Sequence, residues 1–190
     1  MNHLLQQIRS CTACDSELPL GAKPVLLVNS KSKIAVIGQA PGTKVHASGI
    51  PWDDQSGKLL RHWLGVTDEQ FYNPDNFAIV PMGFCYPGRG KSGDLPPRKE
   101  CAPLWHDKVF SYTNQIELIL LIGMYSQKYY LGNDMKRTLT ETVKSYQEYM
   151  PKYFPMPHPS PRNRIWLKKN PWFEKENIPH LRQLVSGVID

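Results

Sequence analysis

The stretch PMPHPSPRNR, residues 155–164, sets His158 among four prolines and follows it with Arg162 and Arg164. Imidazole exchanges protons near neutral pH, and each proline restricts its own backbone. The result is a stiffly held polar ring beside concentrated positive charge. Four cysteines form a second constellation. Cys11 and Cys14 make a C-x-x-C, while Cys85 and Cys101 have fifteen residues between them. Four thiolates meeting in space bind a zinc ion or an iron–sulfur cluster, and the spacing leaves both open. A third group, GIPWDDQSG at 49–57, puts Trp52 next to Asp53 and Asp54 on a Gly/Pro turn.

These residues need a scaffold, and the chain supplies alternating strands and helices. The apolar run KIAVIGQ (33–39) ends in a Gly/Pro turn and reads as a buried strand. SGKLLRHWLGV (56–66) has helical spacing of Leu59, Leu60, Trp63 and Leu64, closed by Gly65. NFAIVPMGF (76–84) reads as the second strand, ECAPLWHDKVFSYT (100–113) as a helix and QIELILLIG (115–123) as the third strand. Helices are expected from Gly123 through 131 and, as one amphipathic piece, over 133–150. KYFPMP (152–157) is a short last strand, and 171–189 is helical with an interruption near Pro179. This alternation predicts a parallel sheet covered on both faces, with the working residues in loops beyond the carboxyl ends of the strands. GQAPG (38–42), the long loop 86–99 and HPSPRN (158–163) all fall there. No linker or repeat divides the chain, so one domain over residues 1–190 is expected.

Composition narrows the function. The chain has 190 residues, of which 41% are hydrophobic and 21% charged, an ordinary globular balance. Lys and Arg number 23 against 17 Asp and Glu, a formal charge of +6 that suits a polyanionic partner. The longest apolar run is too short to span a bilayer and contains Glu117. The N-terminal stretch has no long apolar core or cleavage site. A cytoplasmic protein without membrane contact is expected, monomeric by default, with its cysteines reduced and available to a metal.

The motifs together resemble the uracil-DNA glycosylase superfamily, and most closely its iron–sulfur branch (family 4). IGQAPG (37–42) is similar to the first motif of that superfamily and HPSPRN to its second. GIPWDDQSG lies where the branch has a Gly-x-Pro-Phe segment, and the order of the four cysteines matches its cluster ligands. The resemblance implies a three-layer α/β/α sandwich around a four-stranded parallel sheet. It implies a structural [4Fe–4S] cluster on Cys11, Cys14, Cys85 and Cys101, with zinc as the alternative, and DNA carrying a damaged base as the partner.

It also implies a reaction: hydrolysis of the N-glycosidic bond of uracil or another deaminated base flipped out of DNA. Trp52 stands where the family stacks the base. His158 would donate a hydrogen bond to the leaving base, a role that needs the preorganisation its prolines provide. Gln39, Ala40, Pro41 and Gly42 would border the base and the scissile bond. Arg162, Asn163, Arg164 and Lys168 would face the DNA, with Trp166 as a wedge. The chain departs from the branch twice. Gln39 replaces a glutamate and can orient water but not deprotonate it, which leaves Asp53 or Asp54 as the nearest carboxylates. Pro81 replaces the asparagine that reads uracil, so the pocket would read a different base, use the backbone near Met82 and Gly83, or read nothing. A DNA-binding protein of the same fold that has lost catalysis is the alternative reading. A third possibility, an enzyme of free nucleosides, has no use for the basic loops.

Overall fold

The computed structural model describes residues 1–91 and 93–189. Its strands are β1 (Ile34–Ile37), β2 (Phe77–Ile79), a small antiparallel hairpin of β3 (Arg89–Gly90) and β4 (Gly93–Asp94), β5 (Leu118–Ile122) and β6 (Tyr153–Met156). Four of them form an all-parallel sheet in the order β2-β1-β5-β6. The helices are α1 (Asn2–Arg9), α2 (Thr43–Ser48), α3 (Gln55–Leu64), α4 (Asp68–Tyr72), α5 (Cys101–Phe110), α6 (Met124–Leu131), α7 (Leu139–Lys144), α8 (Arg164–Lys169) and α9 (Ile178–Ile189).

The four strands of this sheet are almost wholly buried because each faces two cores. Ile34, Val36, Leu118, Leu120 and Phe154 point to one face and pack with Leu60 and Trp63 of α3 and Leu181 of α9. Ala35, Ile37, Ala78 and Leu121 point to the other and pack with Ile8 of α1, Val109 of α5 and Leu131 of α6. The period of two puts apolar residues on both sides of the same strand. Each large side chain buried here contributes about 1.5–3 kcal/mol relative to exposure. Helices on both faces complete the expected three-layer arrangement. None of the helices among the described residues is long and apolar enough to cross a membrane.

The topology locates the working edge. From β1 the chain first adds β2 on one side, then crosses to lay β5 on the other. The strand order therefore reverses at β1, and the loop leaving its carboxyl end opens into a crevice. That loop is GQAPG.

Three expectations need correction. The second strand is shorter than its apolar run and ends at Ile79, before Pro81, whose missing N–H lies on the side facing segment 25–27 rather than β1. Around it, Val80 N–H still donates to Val36 O (3.0 Å) and Met82 N–H to Gly38 O (2.9 Å). The piece expected as one helix over 133–150 is a 3-10 turn (Gly132–Asp134), then α7, then another 3-10 turn (Tyr146–Tyr149). Thr138 accepts from Glu141 N–H and the Glu141 carboxylate accepts from Thr138 N–H, a reciprocal cap that starts a new helix. The C-terminal helix is not broken at Pro179. A π-turn (Phe173–Asn177) runs directly into α9, of which Pro179 is the second residue. Segment 25–27 was not foreseen as structured: Leu27 bridges Ile79 antiparallel and covers the outer edge of β2.

Candidate functional site

A cavity of about 460 Å³ opens at the carboxyl end of β1. It is of the size that takes a nucleobase and part of its sugar. Every residue of the loop 38–42 lines it, joined by Trp52, Asp54, Pro81, Asp94 and His158.

Trp52 is placed by strain. Its φ is 58°, in the left-handed region that a bulky residue avoids. Two glycines make this possible. A Cβ on Gly57 would lie 1.7 Å from the Trp52 carbonyl oxygen, and a Cβ on Gly38 would lie 2.7 Å from Cζ2 of the indole. Arg61, itself buried, donates through Nη1 to the Trp52 carbonyl (3.3 Å) and is fixed by Asp68 (2.6 Å). The indole thus lies against the backbone of Gly38 and beside the His158 ring. The two ring centroids are 5.4 Å apart at 33°.

His158 follows β6. Asn163 Nδ2 donates to the His158 carbonyl at 2.7 Å, and Ser160 Oγ accepts from Arg162 N–H (3.3 Å) to start the turn Pro161–Asn163. The loop is therefore closed on itself, and the prolines limit what remains. Burial pushes the imidazole pKa below the ordinary histidine value, with the Asp54 carboxylate acting in the opposite direction. The shift favours the neutral ring, which offers one N–H.

Behind the cavity wall sits a second histidine. His106 is buried, and its Nε2–H donates to the Pro81 carbonyl (3.0 Å) while Nδ1 accepts from the Tyr130 hydroxyl (2.6 Å). A carbonyl can only accept, which fixes this neutral tautomer. His106 therefore holds Pro81 in place. Burial lowers its pKa from 6.5 to about 4, so the unfolded chain takes up a proton that the native state refuses. Its contribution to stability is whole above pH 6.5 and is lost progressively between pH 6.5 and about 4. Urea unfolding across that window is expected to fall by up to about 1.4 kcal/mol per pH unit from this group. His106→Gln should flatten that slope, and an unchanged slope would remove His106 as its cause.

Not every expected residue reaches the cavity. Asp53 is exposed and lies outside it, whereas Asp54 lines it. Asp54 is also the N-cap of α3, its Oδ1 accepting from Gly57 N–H at 2.8 Å. Met82 is buried in the second core, outside the cavity. Its N–H is engaged by Gly38 O, and that of Gly83 by Gln39 O (2.9 Å), so neither backbone group is available to read a base. Gln39 Nε2 donates to Leu95 O (3.1 Å), which ties the loop to the hairpin side. Arg162 and Asn163 line the cavity, while Arg164 and Lys168 lie beyond it on exposed positions of α8. Trp166 is no free wedge. Its Nε1–H donates to Thr140 Oγ1 (2.8 Å) and its ring packs on Trp172 and Phe173. The apolar side chain exposed on that helix is its neighbour Ile165, at 69%. Asp94 is the other residue that sequence reasoning missed, since nothing periodic marks it inside the long loop.

The four cysteines line one small second cavity, with Phe84 and Trp105 as apolar walls. Cys11 follows α1, Cys14 precedes a 3-10 turn, Cys85 follows the second strand and Cys101 opens α5. Phe84 N–H donates to Cys101 Sγ at 3.3 Å. As thiols, Cys85 and Cys101 are pushed up by burial to about 11 and about 12. Arg98 reaches Glu17, Glu100 and Cys14, yet its Nε is buried with no partner among the described residues. Among the described residues no three His, Cys, Asp or Glu side chains stand at the spacing of a single bound ion.

Among solved structures, the chain is similar to the solution NMR structure of a "putative Uracil DNA glycosylase" from Methanosarcina acetivorans. The two are 15% identical over 85% of this chain and 98% of that one, with a TM-score of 0.46. The sequence itself places the family: residues 26–182 match the model of the uracil DNA glycosylase superfamily, and the chain belongs to that superfamily.

Proposed function

We propose that the protein is a monofunctional DNA glycosylase that removes uracil or another deaminated base flipped out of DNA. The observation that carries this reading is the pairing of Trp52 and His158 across the mouth of the GQAPG loop. A base resting on the indole presents an edge to the His158 ring. As the bond from C1′ to the base nitrogen lengthens, negative charge grows on the base and positive charge on the sugar. His158, neutral and held by Asn163, donates a hydrogen bond to a base carbonyl oxygen as that charge develops. Water completes the hydrolysis at C1′.

The wall at Pro81 offers no side-chain donor, so discrimination by an amide at that position is absent. Shape and the His158 contact then select the base, which suits a wider range of deaminated bases than uracil alone. Arg162 at the cavity and Arg164 and Lys168 beyond it on α8 suit a phosphate backbone, and Ile165 is the exposed apolar residue able to press between base steps.

The four cysteines fit an iron–sulfur cluster and are proposed to hold one of the [4Fe–4S] type. All four line one small cavity with apolar walls, a lining of thiols that suits such a cluster, with a zinc ion as the alternative. The buried Arg98 N–H, without a protein partner, suits the sulfur of such a group. The group would be structural, joining the N-terminal segment to the loop that carries the hairpin.

The test uses oligonucleotides with a single uracil, hypoxanthine or xanthine, incubated with protein of known iron content and then treated with alkali. Strand breaks at one or more of these bases are expected. Their absence at all three, from folded protein, overturns the glycosylase reading in favour of a binder of damaged DNA.

A further inference from the structure

We infer that Asp94, on the hairpin of the long loop, is the carboxylate that activates water in this site. The inference rests on the glycosylase reading above and supplies what the loop 38–42 lacks, a group able to take a proton. Among the described residues, two carboxylates line the cavity: Asp54 and Asp94. Asp54 has one oxygen committed to capping α3. Asp94 is solvent-accessible, and among the described residues its carboxylate makes neither a hydrogen bond nor an ion pair that would compete for a water.

Its place is set from three sides. Gln39 Nε2 donates to Leu95 O (3.1 Å), and Leu95 N–H to Gly88 O (2.8 Å), which hold the hairpin over the loop. Asp94 Oδ2 lies 3.4 Å from where a Cβ on Gly42 would stand, so the absence of a side chain there gives the carboxylate its room. Arg162 packs on Gly93, where a Cβ would lie 2.1 Å from Nη1. The loop therefore carries the Trp52–His158 pair at Gly38 and the carboxylate at Gly42. A nucleotide whose base lies on Trp52 would extend its sugar along the loop toward Asp94.

The step balances without any added reagent. The bond from C1′ to the base nitrogen breaks and the base leaves with the electron pair. Water oxygen bonds to C1′, and its proton passes to the Asp94 carboxylate. The proton later returns through solvent to the base. In the transition state the carboxylate also faces the positive sugar.

The experiment compares wild type, Asp94→Asn and Asp54→Asn, the last of which keeps a capping oxygen. Excision rates are measured on whichever oligonucleotide the wild type cleaves. Affinity is measured for DNA with a neutral tetrahydrofuran abasic analogue and with a cationic pyrrolidine analogue. Asp94→Asn is expected to lower the rate about 100-fold or more and to abolish a wild-type preference of about 10-fold or more for the cation. Binding to the neutral analogue and the melting temperature should not change. An Asp94→Asn protein that keeps the rate and the preference overturns the inference, as does a wild type with no preference. Loss of both in Asp54→Asn alone moves the role to Asp54 and also overturns it. A wild type that cleaves nothing defeats the glycosylase reading, and the analogue comparison then still decides whether Asp94 faces the sugar.

Discussion

Replacing His158 with alanine is expected to lower base excision by about two to three orders of magnitude while the protein remains folded. Its loop is closed through the His158 backbone by Asn163, a contact that alanine keeps. What alanine removes is the donor facing the leaving base and the ring beside Trp52. If the hydrogen bond forms as charge develops, kcat should fall far more than affinity for the uncleaved oligonucleotide. The direction of the pKa shift adds a second reading. Burial favours the neutral imidazole, so any inflection in the rate from protonation of His158 should fall below the ordinary value of 6.5. Single-turnover rates from pH 5 to 8 check both points. An unchanged rate in His158→Ala would take this residue out of the mechanism.

The strands at 34–37 and 118–122 are legible in the sequence because a parallel strand buried on both faces must be a continuous apolar run. Their ends are legible because glycine follows each. Gly65 marks the end of α3 for the same kind of local reason, with φ 72° at the C-cap. Trp52 and His158 stand on loops whose order along the chain was readable, and the structure brings both to one cavity. What the sequence hides is decided by partners far along the chain. Asp53 and Asp54 are adjacent and chemically alike, and only the start of α3 at Gln55 turns the second into the cap and toward the cavity. Trp166 and Ile165 are likewise neighbours. Thr140 and Trp172 claim the indole, and the isoleucine is left to solvent. Asp94 has no local signal at all. Its hairpin has two residues per strand and depends on Gln39 and Arg162 for its position.

The cysteines carry the last large effect. Cys101→Ala is expected to abolish metal binding and to lower the melting temperature by about 10 °C, corresponding to about 3 kcal/mol or more in a chain of this size. Cys11 and Cys101 pack only at the margin of the second core and none of the four lies in the sheet, so the fold should persist. The losses should concentrate in what the thiols join: the segment around Cys11 and Cys14, the turn at Cys85 and the start of α5. Between Cys85 and Cys101 lie Arg89, Lys91, Arg98 and Lys99, so limited trypsin digestion should cut the variant there well before the wild type. The hairpin bearing Asp94 belongs to this same stretch. Excision should therefore fall in Cys101→Ala although no cysteine touches the substrate, and salt-sensitive DNA binding through Arg164 and Lys168 on α8 should remain. Elemental analysis of the purified wild type gives the deciding control. Iron near four atoms per chain supports the cluster, and zinc at one per chain replaces the cluster with an ion while keeping the anchoring role. Freshly purified protein with neither metal, or a variant as stable and protease-resistant as the wild type, would show that the long loop is held by its protein contacts alone.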